Sequence, residues 1–399
     1  MPDVDKEPSF ENDDRHPAKS QIPISESTIR WAMARSGLDE IALRPILPKI
    51  SQWIKGELHP SLRELERLAN ITSTPLGFFF LQEPPNDQLS IPHFRTVKTG
   101  LSDQSPSPNL IDTIQLMERR QNWMRDYLLD QGSEPLPYVH SASLGDDPRR
   151  IADNIRITLG LPEEWASEQP NWGKALQELR ISIENAGILL VVSGIVGNNT
   201  RRKLDVSEFR GFVLVDEYAP LVFVNGADGK AAQMFTLAHE LAHIWFGKSA
   251  VFDLKELQPA NEAIERESNA VAAEFLVPSE QLLDFWPSLK GDPDPFQTIA
   301  RKFKVSELVA AYRALNLRLI HYNDFNEFYN AYEKERHEPL KKTEGGDFYA
   351  NQNLRIGRRF AIAVISAARE GTLLYRDAYQ LTGLYGDTFE RYAKSLGLV

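Results

Sequence analysis

The chain has 399 residues, a formal net charge of −11 and 42% hydrophobic residues, which together fit two or three domains with substantial cores. The acidic excess argues against nucleic-acid binding by the whole molecule, although a local basic patch stays open as an alternative. The absence of cysteine excludes disulfides and thiolate metal ligands. No apolar run approaches the roughly 18 residues of a membrane helix, and the charged start lacks a signal-peptide core. These features predict a cytoplasmic protein with no membrane partner.

The first 96 residues divide into a polar tail and a segment with helical patterns. Residues 1–21 are polar and contain proline, which predicts a disordered tail. Residues 22–96 predict a helical domain, whose first helix near 28–37 stops at Gly37. The Trp-x-x-Gly-x-x-x-Pro-Ser spacing at 53–61, with the leucine repeat after it, resembles the later helices of the phage-repressor type of helix-turn-helix domain.

That resemblance implies DNA binding, but two features of the segment favour another role. Pro45 and Pro48 interrupt the stretch in which a recognition helix should follow the first helix of the motif. Acidic and basic residues nearly balance along the segment, whereas a DNA-reading face normally carries an excess of positive charge. We therefore expect a protein-docking or sensing domain, with DNA binding as the less favoured alternative.

Residues 97–147 predict a linker and a long helix, and two further helices lead from there into a run of predicted strands. The β-forming runs are 188–192, 209–215 and 220–225. The last two flank a turn and predict a hairpin. An extended substrate could pair with an exposed edge of this hairpin. A hairpin that only covers the next helix is an equal alternative.

His239, Glu240 and His243 lie in an apolar run without proline or glycine before Gly247, which predicts a helix. Residues four apart share one helix face, so both imidazoles can bind a single zinc ion. Glu240 lies beside them, where it can take the proton of the attacking water. This is the H-E-x-x-H spacing of metallopeptidases. The alternative, a helix that carries these residues by accident, would bury two imidazoles without a partner.

A third metal ligand is predicted on the next helix, which ends at Pro278. Glu265 falls at the edge of the apolar face of this helix and can complete the site. Asn269, one turn later, can accept the remaining ring N–H of a ligating histidine and so orient it. Glu267 and Glu274 are predicted on the solvent face. An ordinary salt bridge is the alternative role for Glu265.

These two motifs together resemble the ImmA/IrrE family of bacterial zinc peptidases. The resemblance rests on His-Glu-x-x-His at 239–243 and on Glu-x-x-x-Asn-Ala-x-Ala-Ala-x-x-Leu-x-Pro at 265–278. The family usually has Ala where this chain has Ser268 and Phe where it has Val271, and both changes leave the polar positions intact.

The resemblance implies a gluzincin-like enzyme with Zn²⁺ as its cofactor. It implies that His239, His243 and Glu265 are the metal ligands and that Glu240 is the catalytic base. It also implies a protein substrate, a helix-turn-helix repressor encoded nearby, whose cleavage switches on the repressed genes.

Beyond the second motif the chain predicts helices again. Residues 291–333 predict a small helix-turn-helix-like unit, which in the family follows the peptidase domain. Residues 334–399 predict a hinge and a C-terminal helical domain. Its basic start, Arg355, Arg358 and Arg359, is interpreted as a solvated helix face, with contact to nucleic acid or an acidic partner as the alternative.

The whole sequence predicts a mainly helical α+β fold, with a gluzincin-like zinc peptidase core at 148–290 that holds a small β-sheet and is flanked by helix-turn-helix-like helical domains. We predict a zinc-dependent endopeptidase that hydrolyses a peptide bond in a specific regulatory protein, with a helix-turn-helix transcriptional repressor as the expected substrate. Two alternatives remain: a DNA-binding regulator whose zincin domain is only a sensor, and a toxin-like or phage-defence peptidase. The sequence leaves the oligomeric state open.

Overall fold

The computed structural model describes four stretches of the chain: 21–85, 106–252, 263–335 and 348–398. The Cα positions divide them into two units, of which the first contains 21–85 with 106–108 and the second contains the described residues from 109 onwards. Residues 1–20 of the predicted tail and residues 336–347 of the predicted hinge lie outside the described residues. The predicted segment boundaries are finer than this division and stay a prediction.

The first unit consists of short helices around a small apolar core. Its elements are α1 (Glu26–Ser36), α2 (Glu40–Leu43), α3 (Ile50–Ile54), α4 (Leu62–Ile71) and a 3₁₀ turn (Leu76–Phe80). The Ser25 side chain caps α1 by accepting a hydrogen bond from Thr28 N at 3.1 Å. Gly37, with φ of 67°, ends α1, which confirms the predicted glycine stop.

The two middle helices of this unit are only four and five residues long. They lie on either side of Pro45 and Pro48, as expected where proline removes a backbone donor and blocks a helix. Their inward side chains, including Leu43, Ile50 and Trp53, are buried against α1 and α4. The helix-turn-helix resemblance of this unit therefore stays a prediction.

The second unit is α+β and mainly helical, as the sequence predicts. Its helices are α5 (Pro108–Asp130), α6 (Pro148–Leu159), α7 (Trp172–Asn185), α8 (Lys230–Phe246), α9 (Ala263–Leu276), α10 (Ser279–Phe285), α11 (Pro295–Phe303), α12 (Glu307–Asn316), α13 (Tyr322–Glu335), α14 (Phe348–Ile356), α15 (Arg358–Arg369), α16 (Tyr375–Thr382) and α17 (Asp387–Ser395). Its strands are β1 (Leu189–Ser193), β2 (Ile195–Val196), β3 (Asn199–Lys203), β4 (Gly211–Leu214), β5 (Leu221–Asn225) and β6 (Ala250–Phe252). No helix within the described stretches is long and apolar enough to cross a membrane.

A four-stranded sheet with the order β1-β5-β4-β6 forms the middle of this unit. Strand β1 pairs parallel to β5, and β4 and β5 form the predicted antiparallel hairpin. Strand β6, which the sequence did not predict, pairs antiparallel to β4. The small strands β2 and β3 form a separate antiparallel pair.

Helices cover both faces of the sheet, which explains why β1, β4 and β5 are buried along their whole length. Alternate side chains point to opposite faces of a strand. One set, Leu190, Val192, Val213, Val222 and Val224, packs with α6 to α9. The other set, Leu189, Val191, Phe212, Leu214, Leu221 and Phe223, packs with α5 and with α15 to α17. The C-terminal helices thus share the sheet with α8 and α9, in the same unit.

Arg120 of α5 links the C-terminal helices by hydrogen bonds to main-chain carbonyls. Its Nε donates to Leu381 O and its Nη1 donates to Arg355 O, both at 2.9 Å. The side chain is buried, and burial lowers its pKa to about 10. Its guanidinium also lies 5.6 Å from the centre of the Phe360 ring. The long helix therefore ties two separate parts of the C-terminal segment together.

Glu274 corrects one expectation, because the sequence placed it on the solvent face of α9. Its side chain is buried and forms an ion pair with buried Arg313 of α12. The same carboxylate accepts hydrogen bonds from Ser279 N and Ser279 Oγ, each at 2.9 Å. Arg313 Nε also donates to Val277 O at 2.9 Å. A charge is tolerated in the interior when its partners satisfy it, and this pair anchors α12 to α9.

We expect Arg313→Met to lower the free energy of unfolding by about 3–5 kcal/mol, because the substitution leaves the buried Glu274 carboxylate without its counter-ion. Denaturant titration of the purified variants measures the change. Arg318→Met is the matched control, since Arg318 is exposed on the loop after α12. Equal midpoints for the two variants would contradict a structural role for the pair.

Candidate metal centre

Helix α8 carries the H-E-x-x-H residues through the interior of the second unit. All residues from Gln233 to Phe246 are buried, so other parts of the protein surround this stretch of the helix on all sides. The helix ends at Gly247, with φ of 68°. Backbone N–H groups of His140 and Ala142 donate to Ile244 O and Trp245 O, each at 3.0 Å. The last-turn carbonyls therefore have partners inside the protein.

The predicted ligands His239, His243 and Glu265 meet where α8 packs on α9. Their Nε2 and carboxylate atoms lie close together: 3.0 Å separates the two Nε2 atoms, 3.2 Å separates His239 Nε2 from Glu265 Oε2, and 3.1 Å separates His243 Nε2 from Glu265 Oε1. Asn269, one turn after Glu265, places its Oδ1 3.0 Å from His239 Nδ1. The structure thus brings these four predicted residues together.

This donor group fits a single metal ion. One ligand atom from each of the three residues lies within 4.8 Å of the others, and all three side chains are buried. Nitrogen and oxygen atoms bound tetrahedrally at 2.0–2.1 Å lie about 3.3 Å apart, close to the observed separations. Two imidazoles and a carboxylate leave one position of a four-coordinate ion open, as in catalytic zinc sites. The arrangement can therefore hold a metal ion.

The electrostatics of the group favour the protonation states that bind a metal. Burial alone would raise the pKa of Glu265, but His239 and His243 opposite its carboxylate hold that pKa well below its usual range. Burial lowers the pKa of His243, and Glu265 opposes this effect only in part. An ionised carboxylate beside a neutral imidazole is the form in which both groups donate to a cation.

Glu240 lies beside the group, and its carboxylate has no hydrogen-bond partner among the described residues. Both oxygen atoms are buried. Burial raises the pKa of Glu240 well above its usual range, and the nearby charge of Glu265 raises it further. An unpaired buried carboxylate is costly, so this side chain is fitted to a position next to a cation and a polar reactant rather than to a purely structural role.

Gly211 of β4 makes room for Glu240, and the sequence analysis did not single it out. A Cβ atom at Gly211 would lie 2.5 Å from Thr236 Cγ2, 2.9 Å from Phe223 O and 3.2 Å from Glu240 Oε1. Thr236 is one helical turn before Glu240, so β4 passes directly over the face that carries the carboxylate. A glycine inside a strand pattern signals close approach of another group, and this signal could have identified it.

The predicted edge of the hairpin is not free. Strand β6 pairs with β4 along it, in the register Gly211 with Phe252, Phe212 with Val251 and Val213 with Ala250. The expectation that an extended substrate pairs with this edge is therefore wrong for β4, because its backbone groups are used by β6. Within the described residues, β6 is the outer strand on this side of the sheet.

The geometry of the site is that of the metallopeptidases. Two histidines lie four apart on one helix with a glutamate between them, and the next helix supplies a third ligand. Residues 184–315, about a third of the chain, match the family model of the peptidase M78 type described as the IrrE N-terminal-like domain. This match supports a metallopeptidase-type domain and the resemblance to the ImmA/IrrE family. Residues 356–395 match a domain of unknown function, DUF8813. No curated protein matches the chain.

We expect Gly211→Ala to lower the free energy of unfolding by about 1–3 kcal/mol, because the added methyl group overpacks the contact between β4 and α8. Gly77→Ala is the control, since Gly77 is exposed and a Cβ atom there meets nothing within 4 Å. Thermal unfolding of both variants measures the difference. A Gly211→Ala protein as stable as the control would show that β4 and Glu240 are not in close contact.

Proposed function

We propose that the protein is a zinc-dependent endopeptidase, in which His239, His243 and Glu265 hold the ion and Glu240 is the catalytic base. The observation that carries this proposal is the unpartnered Glu240 carboxylate next to three converging donor atoms. A merely structural metal site has no use for such a base. Imidazole and carboxylate donors in a four-coordinate arrangement suit zinc, and the chain has no cysteine for softer metals.

The residues of the chain divide the chemistry between them. When bound, zinc supplies Lewis acidity at the scissile carbonyl and acidifies water. Glu240 holds the attacking water, accepts its proton as the water adds to the carbonyl, and returns a proton to the leaving amine. Asn269 accepts a hydrogen bond from the His239 Nδ1–H and so keeps Nε2 directed at the centre. The ionised Glu265 carboxylate supplies the third donor group, from α9, opposite the two histidines of α8.

The substrate class follows from the resemblance to the ImmA/IrrE family, supported by the family match at residues 184–315. We propose that the enzyme cuts a specific regulatory protein, a helix-turn-helix transcriptional repressor encoded nearby, and so relieves repression. We assign the first unit to protein docking rather than DNA reading. The short α2 and α3 and the nearly balanced charge of this unit support that assignment.

We expect Glu240→Gln to bind zinc and to lose cleavage by a factor of about 10²–10⁴, because an amide cannot accept the proton of water. The chain and the variant are co-expressed with the helix-turn-helix protein encoded nearest to it, and the products are identified by mass spectrometry. Glu280→Gln is the matched control, since Glu280 is exposed on α10. Undiminished cleavage by a zinc-loaded Glu240→Gln protein would refute the mechanism. Absence of cleavage by the unaltered chain would refute this substrate.

We expect Asn269→Ala to weaken zinc binding about 10–100-fold, because the His239 ring loses the group that orients it. Asn269→Asp keeps an acceptor oxygen at the same place and should restore most of the affinity. Competition with a coloured zinc chelator measures both values, with His239→Ala as the reference for a lost ligand. Equal affinities for Asn269→Ala and the unaltered chain would remove Asn269 from the site.

A further inference from the structure

A cavity of about 710 Å³ lies where β1 and β5 end, and none of the residues of the metal centre lines it. Its walls come from α7, the first turn of α8, α14 and the first residue of α15. Strands β1 and β5 are parallel, and ligands of such sheets bind outside the carboxyl ends of the strands. The volume is in the range of small-molecule sites.

Two glycines form the floor of the cavity where the strands end. A Cβ atom on Gly226 would lie 3.2 Å from Gly194 N, and one on Gly194 would lie 3.1 Å from Ala227 N. A Cβ atom on either glycine would crowd the other loop, so the lack of side chains at both positions favours this close approach. The cavity lies above these two glycines, between α7 and α14.

Positive charge dominates the walls of the cavity. Among the described residues, four cationic side chains line it, Arg180, Lys230, Arg355 and Arg358, against one acidic side chain, Glu184. None of the four lies within 4.0 Å of a carboxylate of the described residues, although Arg358 is close enough to Glu184 to lower the pKa of that carboxyl. Glu184 is already engaged, because its Oε1 accepts a hydrogen bond from Arg359 N at 3.1 Å at the start of α15. The described lining of the cavity thus carries a surplus of three positive charges.

Arg180 shows the need for an anion most directly. Its Nη2 donates to Gln233 Oε1 at 2.5 Å, while its Nε is buried without a hydrogen-bond partner among the described residues. Burial lowers the pKa of Arg180 to about 10. A desolvated guanidinium supported by one neutral amide lacks the counter-charge that buried ions usually have.

We propose that this cavity binds a phosphorylated small molecule, with its phosphate among the four cationic side chains. A phosphate monoester carries more negative charge than a single carboxylate and matches a local surplus of three positive charges better. Guanidinium groups bind phosphate oxygens in pairs, which suits a site with three arginines. The apolar side chains of Leu176, Val192 and Leu354 remain to contact the rest of the molecule.

The cavity and the metal centre are separate sites on one helix. Lys230 and Gln233 lie in the first turn of α8, and His239 follows Gln233 by six residues, about 9 Å along the axis. A ligand in the cavity therefore contacts the helix that carries the metal ligands without reaching them. Binding of the phosphorylated molecule does not depend on whether the chain is a peptidase.

The test is calorimetric titration of the whole chain with its metal retained, at constant ionic strength. The probes are inorganic phosphate, pyrophosphate and adenosine 5′-monophosphate, with adenosine as the probe that lacks phosphate. We expect the phosphorylated probes to bind with a stoichiometry of one and adenosine to show no binding at the same concentrations. No heat of binding from any phosphorylated probe, or equal binding of adenosine, would overturn the proposal.

Substitutions of the cavity arginines test whether the phosphorylated probes bind in the cavity. Arg180→Gln and Arg358→Gln should each weaken binding at least about tenfold, because a charge-assisted hydrogen bond is lost. Arg358 is exposed, so its variant tests the site even where Arg180→Gln disturbs folding. Arg201→Gln, an exposed arginine on β3, is the charge-matched control and should leave the dissociation constant unchanged. His239→Ala should also leave it unchanged. Loss of binding in His239→Ala with retention in both cavity variants would move the phosphate to the metal centre and refute the proposal.

Discussion

The carboxylate of Glu265 lies 3.1 and 3.2 Å from the Nε2 atoms of two buried imidazoles, and much of the second unit is arranged around that contact. Charged and polar groups gain little from burial unless their partners are close and correctly oriented. The contact therefore requires α8 and α9 to keep a fixed separation and rotation. A small rotation of either helix would move the donor atoms apart, since they lie at the tips of side chains.

Several independent contacts hold α9 in that position. The guanidinium of Arg156, from α6, donates to Glu274 O and Phe275 O at 3.1 and 3.0 Å, near the end of α9. Arg313 reaches the same region from α12 through its ion pair with Glu274. Polar contacts thus fix the end of the helix that is remote from Glu265, and packing against α8 fixes its apolar face. Helices α6 and α12, which carry none of the metal-site residues, thus help to fix the geometry of the metal site.

The sequence predicted the parts of this protein that depend on local spacing. The separation of four placed His239 and His243 on one face of their helix, and Glu265 and Asn269 on one face of the next, because helical periodicity is regular. That the two faces share one ion was inferred from the metal-ligand motifs and not from the spacing itself. The strands of the hairpin were predicted from runs of β-forming residues on either side of a turn. The glycine end of α1 followed from the conformational freedom of Gly37.

Contacts between residues distant in the sequence were not predictable in this way. Glutamate is usually a surface residue, and only the packing of α12 on α9 makes Glu274 a buried ion-pair partner. Strand β6 has only three residues, too few to show a period. The cavity cations come from α7, α8, α14 and α15, and Arg355 and Arg358 were interpreted as part of a solvated face. Such groups become visible only when the tertiary structure is known.

The shared sheet makes two segments of the chain depend on each other for their packing. Phe212 and Phe223 stack with 4.9 Å between ring centres on the face opposite α8, and the residues that cover them belong to α5 and to the C-terminal helices. The strands of this face lie in the segment at 184–315, and the segment at 356–395, which matches a different family model, supplies helices that pack on it. Separation of the two segments would expose apolar surface on both: the sheet face that carries Phe212 and Phe223, and the helices that cover it. A change of side-chain volume at this face therefore affects the packing of both segments.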